Sequence, residues 1–231
     1  MTGTPRYAIY SMPAVTSALW RFGCRVVGYD PAEPDARPQP FEPLREALAA
    51  GAFTEPARYG FHATLKAPFE LAARKTEAQL LAAAADFAIR QPPLPLGRLK
   101  IAPLERFIAL IPEVAPAALE SFAVDCVCDF DSFRAPLSAA DRDRRLKVPM
   151  TTTQLVYLDA WGYPYVFEEF RFHMTLAGPL SLDELAPITE TLRTLYAPID
   201  APVTIDGIAV FKQLVRTARF ELLQRFAFAR T

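Results

Sequence analysis

The chain has 231 residues, 52% hydrophobic and 22% charged, with a formal net charge of −1. That length can bury a sizeable core, and so balanced a charge argues against holding long nucleic acid through the overall field, though not against a short nucleotide or an oligonucleotide end. Three cysteines (Cys24, Cys126, Cys128) read as reduced thiols of a soluble cytoplasmic protein, with no signal core at Met1 to Tyr10 and no apolar run long enough to span a bilayer.

In chain order, a strand is predicted over residues 6–10, stopped by Pro13 and followed by a helix over 17–22. The segment Tyr59-Gly60-Phe61-His62-Ala63-Thr64-Leu65-Lys66 reads as a strand. A loop with Pro68 follows it, and then a helix over 76–90, started by Thr76 and Glu77 and stopped by Pro92. A β-like stretch covers 96–101. The pattern then recurs, with a strand over 106–111 stopped by Pro112, a helix over 117–127 and a charged segment over 138–147. Arg171-Phe172-His173-Met174-Thr175-Leu176 is the second strand of the Phe-His-x-Thr-Leu type. A loop with Pro179, a helix over 181–196, a β-like stretch over 203–211 and a last strand over 219–227 complete the order. This is an α+β reading of one bilobal domain over 1–231, with internal repeats at about 6–102 and 106–211 and a terminal strand at about 218–228.

The chain has only two histidines, and both occupy the same context. On a strand, His62, Thr64 and Lys66 share one face and Phe61, Ala63 and Leu65 the other; Arg171, His173 and Thr175 repeat the arrangement. One histidine on a strand is ordinary. Two in matching apolar frames, with no others in the chain, point to proton transfer near neutral pH.

These paired segments resemble the 2H phosphoesterase superfamily, which includes bacterial RNA 2′,5′-ligases and cyclic nucleotide phosphodiesterases. Longer segments are similar to the branch encoded alongside bacterial phosphonate-degradation genes: residues 6–10, Leu19-Trp20 with Gly28-Tyr29-Asp30, residues 58–66, and Trp161-Gly162-Tyr163-Pro164-Tyr165 leading into residues 170–176. The resemblance covers nearly the whole chain. It implies two lobes, each with a small antiparallel sheet and helices, and an active-site cleft between them where the histidines face each other.

The chemistry expected is metal-independent opening of a cyclic phosphate or small phosphodiester, with one histidine as base and the other as acid, and with the Thr64 and Thr175 hydroxyls donating to phosphate oxygens. Sequence does not say which histidine is which. Lys66 and Arg171 are either substrate-binding cations or solvent-exposed strand ends, and Tyr163 and Tyr165 either line the cleft or pack a turn. The segment over 138–147 is either a solvated loop or helix face, or a carrier of Arg144 or Arg145 to a phosphate. No cofactor is expected: there is no Gly-x-x-x-x-Gly-Lys loop and no dinucleotide fingerprint. No metal is expected either, because threonines stand where ligands would have to. The expected partner is a small phosphate-containing substrate, with no membrane and no long nucleic acid. RNA end joining or end processing, and a phosphate-binding module without turnover, are the competing readings.

Overall fold

The computed structural model describes residues 4–229. Strand β1 (Arg6–Ser11) is followed by helix α1 (Ala18–Val27). The Ser17 hydroxyl caps α1 by accepting from the Trp20 N–H, and Gly28, at φ 70°, ends it in the left-handed conformation. The helix therefore outruns its predicted end at Phe22. Short helices α2 (Arg45–Ala49) and α3 (Thr54–Tyr59) lead into β2 (Ala63–Glu70). Helix α4 (Glu77–Arg90) starts at a reciprocal cap between Thr76 and Gln79.

The stretch predicted over 96–101 is two strands, β3 (Leu94–Gly97) and β4 (Leu99–Leu104), which enter different sheets. Strand β5 (Phe107–Pro112) and helix α5 (Ala118–Asp131) follow. The charged segment folds as helix α6 (Ala139–Arg145), capped by Ser138. Next come α7 (Thr152–Trp161), β6 (Met174–Ala177) and α8 (Leu182–Tyr196), the last capped by Ser181 and Glu184. The stretch predicted over 203–211 divides into β7 (Val203–Ile205) and β8 (Gly207–Gln213), and β9 (Glu221–Ala227) closes the order.

The fold is α+β. Its main sheet has the order β4-β5-β6-β2-β1-β8-β9, and its strands pair antiparallel; β3 and β7 form a separate two-stranded ribbon. One lobe carries β4, β5 and β6, and the other carries β2, β1, β8 and β9. They meet where Ala63 of β2 pairs with Met174 of β6. Strands β8 and β9 thus complete the sheet begun by β1 and β2, although the whole second motif lies between them in sequence.

Helix α4 packs on β8 and β9, α5 on β2, and α8 on β4 and β5. Leu80, Ala84 and Phe87 recur at helical spacing on α4 and are fully buried; the Phe87 ring meets Phe130 of α5 at 5.5 Å. Burying each such large side chain contributes about 1.5–3 kcal/mol, so this layer anchors the sheet from behind. Among the described residues no helix is long and apolar enough to cross a membrane, and all three cysteines are free.

Candidate active site

Both histidines sit one residue ahead of their strands, at the seam between the lobes. Phe61 and Phe172, the residues before them, are buried and fix where each strand begins. The Phe61 ring lies against Gly23 of α1, where a Cβ would fall 2.1 Å from the ring. Only a glycine leaves that space. Gly60, at φ 79°, ends α3 and turns its carbonyl back toward His62.

His62 Nδ1 lies 2.8 Å from the Gly60 carbonyl, and His173 Nδ1 lies 2.7 Å from the Arg171 carbonyl. A carbonyl only accepts, so each Nδ1 carries the proton and donates it two residues back. Each neutral imidazole therefore has its lone pair on Nε2. At His62 the Thr64 hydroxyl donates to that nitrogen at 3.2 Å. One residue either side of the Ala63–Met174 pair, the antiparallel register sets His62 opposite Thr175 and Thr64 opposite His173. The four motif residues form a compact quartet across one seam.

The surroundings of the two histidines differ. His62 stacks on Tyr10, with centroids 3.6 Å apart and planes at 22°; among the described residues no aromatic ring stacks on His173. Burial, opposed by the hydrogen bond to Gly60 and aided by the charge of His173, pushes the His62 pKa down to about 4. Two cavities adjoin here. The first, of about 350 Å³, is lined by His62, and the second, of about 430 Å³, by His173; Thr64, Thr175, Phe107 and Tyr163 line both.

Of the flanking candidates, Arg171 lines the His173 cavity, with its guanidinium donating to the Glu168 and Phe170 carbonyls. Tyr165 lines that cavity too, edge-on to Tyr163 at 5.5 Å. Lys66 lines neither. It is 3% exposed, and its Nζ donates to Asp131 Oδ1 at 2.6 Å and to the Val127 carbonyl at 3.0 Å, both on α5 behind the sheet. The expectation that Lys66 shares the face of His62 and Thr64 is corrected here. In the β1–β2 register Tyr10 pairs with Thr64 but Ile9 with Lys66, so Leu65 is an extra residue and the bulge turns Lys66 to the back.

Arg6, Tyr10 and Tyr59 also line the His62 cavity, as do Arg144 and Arg145 from α6. The first three were not singled out from sequence, although Arg6, Ala8 and Tyr10 alternate on one face of β1 with a small residue between two large ones. Among the described residues no group of three or more His, Cys, Asp or Glu is placed to hold a metal ion.

Residues 64–221 match the family model described as "Protein of unknown function (DUF1045)". The chain belongs to this family. Over 230 residues it is 33% identical to a protein named ribose 1,5-bisphosphate phosphokinase PhnN from Janthinobacterium sp. (strain Marseille), across 97% of this chain and 51% of that protein. A protein of the same name from Laribacter hongkongensis (strain HLHK9) is 32% identical over 221 residues, covering 94% of this chain and 50% of its own length. The chain spans about half the length of the curated relatives it matches. Solved structures with a similar course include E. coli LigT complexed with 3′-AMP (TM-score 0.46, 14% identity, 98% of this chain and 99% of that one). A structure titled simply a phosphoesterase is also similar (TM-score 0.44, 14% identity, 100% of both chains). In this DUF1045 member the two His-x-Thr segments meet at the adjoining starts of two neighbouring strands.

Proposed function

We propose that this chain is a metal-independent phosphodiesterase that adds water to a cyclic phosphate, or to a small phosphodiester, in the cytoplasm. The carrying observation is the quartet at the seam: two imidazoles anchored through Nδ1, each opposite the other motif's threonine. The depressed His62 pKa makes it the neutral base at physiological pH. His62 Nε2 takes a proton from water as the water oxygen bonds to phosphorus. The P–O bond to the leaving oxygen breaks, and protonated His173 gives that oxygen its Nε2 proton. The product is a monoester with one free hydroxyl, and proton exchange with solvent resets both imidazoles. Thr64 swings its hydroxyl from His62 to a non-bridging oxygen, and Thr175 serves another. Arg171 adds charge from the His173 side, and Tyr163 and Tyr165 wall the substrate.

The relatives' name and the phosphonate-associated resemblance favour a ribose-derived cyclic phosphate. The kinase activity in that name belongs to proteins about twice this chain's length, and this chain has no Gly-x-x-x-x-Gly-Lys loop to cradle ATP phosphates. A screen of purified protein against ribose and nucleoside cyclic phosphates, read by phosphorus NMR, tests the proposal. Conversion of a cyclic diester to a monoester supports it. Tight binding without conversion would instead make the quartet an anion-binding module.

A further inference from the structure

The cavity beside His62 holds positive charge that neither the acid–base chemistry nor the folding uses. Other partly buried cations are neutralised: behind the sheet Lys66 and Arg134 share Asp131, and Arg216 faces both Glu70 and Asp141. Arg6 and Arg145 are not, and both line the cavity. Arg6 is held by a neutral partner, donating from Nε to Gln213 Oε1 at 2.8 Å and from its terminal nitrogen to the same oxygen. Gln213 is fully buried and is itself fixed by donating to the Ala218 carbonyl at 2.7 Å. A glutamine there orients a guanidinium without cancelling its charge; a glutamate would do both. Arg145 lies over the Tyr163 ring at 5.1 Å with no carboxylate partner among the described residues.

Two more facts bear on what the cavity takes. Arg6, Ala8 and Tyr10 share one face of β1, whose register with β8 is unbroken, so both ends of this face open on the same cavity. The Tyr10 hydroxyl is buried without a hydrogen-bond partner among the described residues. Of the remaining charged lining groups, Arg144 is paired with Asp141 and Glu55 is an exposed residue in the first turn of α3. The balance is two oriented guanidinium groups without carboxylate partners, in a space next to the base. Guanidinium forks suit phosphate, and the charge of Arg6 remains available to a ligand because Gln213 leaves it intact.

We infer that the His62 cavity is a second anion subsite, in which Arg6 and Arg145 bind a phosphate monoester carried by the same small molecule whose diester sits between His62 and His173. This rests on the diesterase reading and narrows its substrate to a cyclic phosphate bearing a separate terminal phosphate, such as a pentose cyclic phosphate phosphorylated at its far end.

The test compares a nucleoside 2′,3′-cyclic phosphate with its 5′-phosphorylated form on the same enzyme. The phosphorylated form should be favoured by about 10- to 100-fold in kcat/KM, the worth of charge-assisted hydrogen bonds to one phosphate. That preference should collapse toward unity in Arg145→Gln and in Arg6→Gln. Because the readout is a ratio, a variant that is merely less active leaves it unchanged; Arg145, on the surface helix α6, serves should Arg6→Gln fold poorly. Equal use of both substrates by the wild type would overturn the subsite and leave the diesterase reading standing. Turnover of neither would sink the diesterase reading instead, and calorimetry with ribose 5-phosphate then decides the subsite. Binding weakened about tenfold or more by Arg145→Gln supports it, and unchanged binding overturns it.

Discussion

The Tyr10 ring lies flat on the His62 imidazole, 3.6 Å between centroids, and among the described residues no equivalent ring covers His173. This is what separates two histidines that the sequence presents as equals. Covered on one face, His62 is penalised for holding charge, and its pKa falls to about 4. The kcat/KM profile of the wild type should therefore have its acid limb near pH 4, where His62 takes up a proton and ceases to act as a base. Replacing His62 should abolish that acid limb. An acid limb that survives in His62→Ala would assign the base elsewhere.

The same shift has a consequence for folding. The unfolded chain protonates His62 at the ordinary 6.5, the folded protein only near 4. Protons thus bind the unfolded state first as pH drops, so this contribution is complete above pH 6.5 and is lost as pH falls toward 4. The loss is about 3 kcal/mol at most, less whatever solvent in the cavity screens. In denaturant melts across that window, wild type should lose stability relative to His62→Gln as pH falls.

Single replacements His62→Ala and His173→Ala should each lower kcat by about 10²- to 10⁴-fold, and the double replacement should be little worse, because both serve one proton relay. Thr64→Ala and Thr175→Ala should cost about 1–3 kcal/mol of transition-state stabilisation each, as lost hydrogen bonds to a charged group. Full turnover after exhaustive chelation is expected throughout; loss restored by zinc or manganese would redirect the mechanism to a metal.

Lys66→Met separates a buried ion pair from a substrate contact. Asp131 retains Arg134 as a partner, so stability should fall by about 1–3 kcal/mol. KM of the folded protein should stay at the wild-type value. A KM rise without a stability change would return Lys66 to the cleft.

Gly23→Ala places a methyl into the Phe61 ring. Overpacking of this kind costs about 1–3 kcal/mol, and Phe61 can relieve it only by dragging His62 with it. Both melting temperature and kcat should drop, with kcat partly restored by Phe61→Leu in the same chain.

Local patterns in the sequence were sufficient for much of this. The His-x-Thr pairs, the helix start at Thr76, the stop at Pro92 and the helix periodicity are each written within a few residues and were legible there, although the strands predicted over 59–66 and 171–176 begin only at Ala63 and Met174, just past the histidines. What required the tertiary structure was set between distant segments. A bulge at Leu65 turns Lys66 away from the cleft, and it exists only in the register of β2 against β1. The break at Arg98 is decided by β7 lying beside β3, more than a hundred residues later in the chain. Likewise Arg6 becomes an oriented, unneutralised cation only because β8 brings Gln213 beside it. Side-chain alternation is a property of one strand, whereas register, bulges and buried charge balance are properties of strand pairs. A single stretch of sequence carries the chemistry of the histidines, and the packing of lobe on lobe decides what surrounds them.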